Sequence, residues 1–110
     1  QLRLPIYYVD AFAEELFQGN PAAVVTVTEC LEAATMQSIA SENNLSETAF
    51  VNVASIPFLI RWFSPIVEVD LCGHATLASA RILFDNYLPQ DSSQISFSAK
   101  RGALSAFKRD

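Results

Sequence analysis

The segment from Gly73 to Tyr87 constrains this chain more than any other. Between Gly73 and Asp85 the only ionisable side chains are His74 and Arg81, and apolar residues fall on every side of a helical wheel. A helix that is hydrophobic all round is a buried helix. The run Ala75 to Tyr87 is too short to cross a bilayer, which takes about 20 apolar residues. Its burial therefore has to come from the protein itself, and strands wrapped around a central helix would supply it.

The rest of the chain offers those strands. Ile6 to Phe12 is β-branched and aromatic, bounded by Pro5 and Glu14-Glu15, and reads as a strand. A turn at Gly19-Asn20-Pro21 leads into a second, Val-rich strand from Ala22 to Val27. There Gly permits positive φ, Asn tolerates it, and Pro21 has no N–H to give to a sheet ladder. From Leu31 to about Asn43 the stripe Leu31, Met36, Ile39 and Ala40 predicts a helix, which the Asn43-Asn44 pair ends. Thr48 to Val53 and Phe58 to Phe63 follow as strands, then a short one from Glu68 to Leu71. Gln94 to Ala99 and Ala103 to Phe107 flank Lys100-Arg101-Gly102, a hairpin signal. No linker or repeat interrupts the pattern, so residues 1–110 are expected to form one α+β domain.

Composition excludes several classes of function. With 51% hydrophobic and 17% charged residues the chain has material for a core. A net charge of −5 disfavours a nucleic-acid partner, and the basic pairs Lys100-Arg101 and Lys108-Arg109 are isolated. Gln1 to Pro5 carries no apolar signal core, and no run has bilayer length. A cytoplasmic protein without membrane association is the expectation. The two cysteines, Cys30 and Cys72, imply no dense disulfide framework.

Two polar clusters carry the candidate chemistry. In Leu71-Cys72-Gly73-His74-Ala75-Thr76 the single histidine and a thiol sit where the buried helix begins and presents unpaired N–H groups. An imidazole suits acid–base or ligand-binding work, which makes His74 a candidate; the plainer alternative is a histidine that caps the helix and bonds to backbone. Cys72 is a candidate thiolate at a helix N-terminus, but a small buried residue explains it more simply. The second cluster, Ser41 to Thr48, holds Glu47 at a helix-to-strand junction, where partial burial would suit a general acid–base; the alternative is an exposed turn glutamate. Glu42 is a rival on the helix, where a solvated position is expected. One His and two distant Cys, without a CxxC or HxxH pair, predict no metal site. No phosphate loop or dinucleotide fingerprint occurs.

Taken together, six segments in order resemble the N-terminal half of the PhzF-like family, named for phenazine biosynthesis. They are Val9-Asp10-Ala11-Phe12, Phe17 to Val24, Met36 to Ala40, Glu42 to Phe50, Arg61-Trp62-Phe63-Ser64-Pro65 and Cys72 to Ala78. The resemblance implies a diaminopimelate-epimerase-like fold: two similar lobes, each a barrel-like mixed β-sheet around a central helix, with the active site between them. It implies a cofactor-independent isomerase that shifts a proton within a small amino- and hydroxy-bearing carboxylic acid. The glutamate of Ser-Glu-Thr, here Glu47, is then the acid–base residue, and Asn20, Cys72, Gly73 and His74 line the substrate pocket. Related epimerases use a cysteine at the position of Cys72.

Family members are much longer, so the resemblance also implies that this chain is the N-terminal lobe alone and lacks half of the active site. The missing half would come from a second lobe or from a second copy in a homodimer. A different class of reading is a non-catalytic binding or interaction module derived from the lobe. Retention of both Glu47 and His74 argues against that.

Overall fold

In a computed structural model the structure describes residues 4–10, 21–54 and 56–107. They form strands β1 (Ile6–Asp10) and β2 (Pro21–Val27), helix α1 (Ala33–Asn43), and strands β3 (Glu47–Asn52), β4 (Phe58–Phe63) and β5 (Glu68–Val69). Helix α2 (Gly73–Asn86) and the hairpin β6 (Gln94–Ala99) and β7 (Gly102–Phe107) complete the fold. The fold is α+β: one mixed sheet ordered β1-β2-β3-β4-β6-β7, with β5 paired to β4. The β2–β3 and β4–β6 pairs are parallel and the others antiparallel.

Side-chain alternation splits the strands between two cores. Ala22 and Val24, Ala49 and Val51, Ile60 and Trp62, Ile95 and Phe97, and Ala106 face α2 and pack around Ala75, Ala78 and Leu83. The opposite parity, Val25, Val27, Phe50 and Phe63, faces α1 through Met36 and Ala40. β2 and β3 are thus covered on both faces, which explains why they read as nearly unbroken apolar runs. β6 and β7 bury only alternate residues.

Two expectations need correction. The sheet is not closed, because β1 and β7 end its strand order without pairing to each other among the described residues. The helix is not buried on every side either. Its buried residues are Ala75, Thr76, Ala78, Ser79, Ala80 and Leu83, whereas Leu77 is 53% exposed and Arg81 lies open beside it. Thr76 and Ser79 survive in the buried stripe because their hydroxyls donate to the carbonyls of Cys72 and Ala75, at 2.7 and 2.8 Å. Among the described residues no helix is long and apolar enough to cross a membrane.

Boundaries moved for local reasons. α1 starts at Ala33 because Glu32 is extended (φ −68°, ψ 147°), and it ends where Asn44 adopts a left-handed conformation (φ 52°) and donates its N–H to the Ala40 carbonyl. β5 keeps only two residues, held by the Arg61 guanidinium, which donates twice to the Glu68 carboxylate at 2.8 and 2.7 Å. This anchor fixes the chain just before Leu71-Cys72 enters α2. The expected strand residues Ala11 and Phe12 lie outside the described residues.

The β6–β7 hairpin turns on Gly102, at φ 142°, paired with Ala99 across a two-residue loop. A Cβ added there would meet nothing within 4 Å, so the cost of a side chain is conformational, not steric. Gly102→Ala is expected to lose about 1–3 kcal/mol. Urea unfolding should show this as a lower midpoint at unchanged slope.

Candidate active site

Glu47 opens β3 on the parity of Ala49 and Val51, so its side chain falls on the α2 face of the sheet. The parallel register sets it beside Ala22 of β2. On the other side Cys72 is the N-cap of α2 (φ −143°, ψ 104°), which makes Gly73 and His74 the first two helical residues. The start of β3 and the start of α2 thus meet at one end of the core.

There the two polar clusters become one. His74 Nε2 lies 3.1 Å from Glu47 Oε1, within hydrogen-bond reach, and the side chains are only 22% and 19% exposed. Glu47 is therefore no exposed turn glutamate, and the N-cap residue of α2 is Cys72, two residues before His74. The Cys72 thiol lies 3.8 Å from both imidazole nitrogens, against the ring and not in line with either one. Glu42, the rival carboxylate, is exposed on α1 as expected.

Cys72 is 8% exposed. Burial pushes its thiol up from the ordinary value and the neighbouring Glu47 carboxylate adds to the rise; the N–H groups of Ala75 and His74 oppose it. At this helix N-terminus desolvation wins over the dipole, and the small buried residue favoured from sequence is what the structure holds.

A groove of about 590 Å³ opens beside His74, lined by Leu71, Gly73, His74, Thr76 and Leu77 of the α2 side and by Leu104 to Ala106 of β7; of the Glu47–His74 pair, His74 is the member that lines it. That is ample for a small organic acid. A Cβ on Gly73 would meet nothing within 4 Å, so the glycine leaves open space next to His74. Asn20 lies outside the described residues; it directly precedes Pro21, the first residue of β2. The contribution of β7 was not foreseen from sequence, since Leu104, Ser105 and Ala106 carry no chemical signature. A smaller cavity of about 80 Å³ on the α1 side, among Val27, Met36, Phe50 and Arg61, contains none of these residues.

A half-buried carboxylate held against an imidazole, beside helix N–H groups and an open groove, has the parts for moving a proton on an anionic ligand.

Comparison with known proteins agrees with the sequence resemblance. Residues 9–110 match the PhzC-PhzF family of phenazine biosynthesis-like proteins. The chain is 50% identical over 105 residues to an uncharacterized isomerase of Halalkalibacterium halodurans, covering 96% of this chain and 40% of that protein. Among solved structures it superposes on a PhzF-family phenazine biosynthesis protein of Enterococcus faecalis with a TM-score of 0.89 at 50% identity, covering 97% of this chain and 41% of that one. It superposes on a predicted epimerase of Pseudomonas aeruginosa at 0.79 and 26% identity, covering 98% and 39%. The chain thus spans about 40% of the length of these relatives. With the family match reaching from β1 to its last residue, the chain belongs to the PhzC-PhzF family of phenazine biosynthesis-like proteins.

Proposed function

We propose that this chain is the N-terminal lobe of a PhzF-family isomerase that shifts a proton within a small amino- or hydroxy-bearing carboxylic acid, with Glu47 as the general acid–base. The observation that carries the reading is the 3.1 Å contact between Glu47 Oε1 and His74 Nε2 at the head of α2. The carboxylate takes a proton from a C–H of the substrate and, after partial exchange of that proton with solvent, delivers a proton to another carbon of the same molecule. His74 fixes the rotamer of the carboxylate and contacts the substrate, and the groove past Gly73 admits it.

A carboxylate acts here in preference to the thiol, because burial keeps Cys72 protonated and moves it away from thiolate chemistry. The helix N-terminus offers N–H groups and the positive end of a dipole to the substrate carboxylate. Asn20 and the Cys72-Gly73 backbone are assigned to substrate binding on the same reading. Proton transfer from carbon works best with water excluded, and the groove here is open. A second lobe, or a second copy of this one, closes it in the intact protein and completes the wrap around α2.

The test is conversion. Intact protein, without added cofactor, is incubated with a panel of small amino- and hydroxy-carboxylic acids that carry a neighbouring double bond. The expected product has the mass of its substrate and a displaced C–H by proton NMR. Conversion that changes the mass, or a panel returned intact, would overturn the reading.

A further inference from the structure

Glu47, Cys72 and His74 offer a carboxylate oxygen, a sulfur and an imidazole nitrogen that all lie within 4.8 Å of one another. We propose that these three side chains form a chelating site for a borderline-soft divalent cation, typified by zinc, and that the cation turns the site off.

The distances suit the metal. Zinc holds Cys sulfur at about 2.3 Å, His nitrogen at about 2.0–2.1 Å and carboxylate oxygen at about 2.0–2.2 Å. Tetrahedral angles then separate neighbouring ligand atoms by roughly 3.3–3.6 Å. The structure places Nε2 3.1 Å from Oε1 and Sγ 3.8 Å from Nε2, a few tenths of an ångström from those separations. Ligation requires the imidazole to turn so that Nε2 faces both the sulfur, now 3.8 Å from each ring nitrogen, and the carboxylate. Sequence spacing could not show this site, because its carboxylate comes from β3 while the other two ligands come from the head of α2.

The donor set fits zinc better than magnesium or calcium, which prefer oxygen ligands. Three protein ligands leave a fourth position for water. On binding, the Cys72 S–H bond breaks, its proton passes to solvent and a sulfur–zinc bond forms; no electrons change hands. Inhibition rests on the proposed function, since a carboxylate bound to zinc cannot accept a substrate proton. Binding itself does not rest on it.

The experiment uses intact protein stripped with EDTA, so that binding and catalysis are read separately. Cobalt(II) is expected to give a near-ultraviolet thiolate-to-metal band that Cys72→Ser abolishes and Cys30→Ser keeps, Cys30 being exposed and outside the cluster. Zinc affinity, measured against a competing chelator, should fall on the order of 100-fold in Cys72→Ser and at least about 10-fold in Glu47→Gln. In the unaltered protein, zinc should shield Cys72 but not Cys30 from iodoacetamide, which needs no variant to fold. A cobalt band that survives in Cys72→Ser, or alkylation of Cys72 at the same rate with and without zinc, would overturn the site. Turnover unaffected by saturating zinc would overturn the switch. A protein that isomerises nothing yet shows the band and the shielding would refute the catalytic reading alone.

Discussion

Replacing Glu47 with glutamine is expected to lower turnover by 10²–10⁴-fold, about 3–5 kcal/mol of barrier, while leaving the fold in place. The amide has the shape of the carboxylate, and its oxygen can still accept from His74 Nε2 across the 3.1 Å contact. On the proposed function, what is lost is the ability to take a proton from carbon. The loss should fall on kcat, with KM little changed, because the group acts mainly in the transition state. Glu47→Asp keeps the charge but withdraws it by about one methylene, and a displacement near 1 Å costs on the order of 10²-fold. His74→Asn should cost less than Glu47→Gln, since a residue that positions the base removes alignment and not the base itself. Thermal unfolding of all three should stay near that of the parent; a variant that loses activity by unfolding would separate itself at this step.

The largest effect on stability is expected at Trp62. It is 1% exposed near the end of β4, opposite Ala49 of β3, in the α2-side core that also holds Ala78 and Leu83. Trp62→Ala should lose about 3–5 kcal/mol through lost burial and the cavity left behind. For a domain near this size that lowers the melting temperature by roughly 15–30 °C. Trp62→Phe is the informative companion. Among the described residues the indole Nε1 has no hydrogen-bond partner. An unpaired buried donor costs about 1–3 kcal/mol, so removing it offsets part of the lost volume. Trp62→Phe is therefore expected to cost under about 1.5 kcal/mol by urea unfolding. A loss as large as that of alanine would mean that the indole N–H is paired.

Much of the fold was legible in local patterns. Phe58–Phe63 and Gln94–Ala99 begin and end where alternation and flanking turn residues put them. The helix starts moved by two residues, because Glu32 and Cys72 take extended geometry that their residue types do not announce, while α1 ends at Asn43 as the sequence puts it. The parallel pairing of β4 with β6 was not readable, since it joins strands separated by α2 and depends on packing. The helical wheel of α2 overstated burial. Alanine at 75, 78 and 80 marks close packing against the sheet, but Leu77 looks the same to a hydropathy pattern and stands in the open groove.

The candidate site was legible as two lists of residues but not as one place. Glu47 and the Cys72–His74 cluster each had a sound local explanation without chemistry. Only the α2-facing parity of β3, together with the short β5 anchor that delivers Cys72 to the same end of the core, shows why they meet. The family resemblance had paired them beforehand; no spacing rule did. Metal-ligand spacing is searched within one segment, so it could not bring together Glu47, Cys72 and His74, which span two.

The most direct test of the central claim is solvent exchange. Intact protein is held in deuterium oxide with a substrate found in the conversion panel, and deuterium at each carbon is followed by NMR for the parent and for Glu47→Gln. The parent is expected to wash deuterium into one product C–H position, and Glu47→Gln to do so at least about 10²-fold more slowly. Equal rates of deuterium entry in the two proteins would show that Glu47 does not carry the proton, and the account would fail.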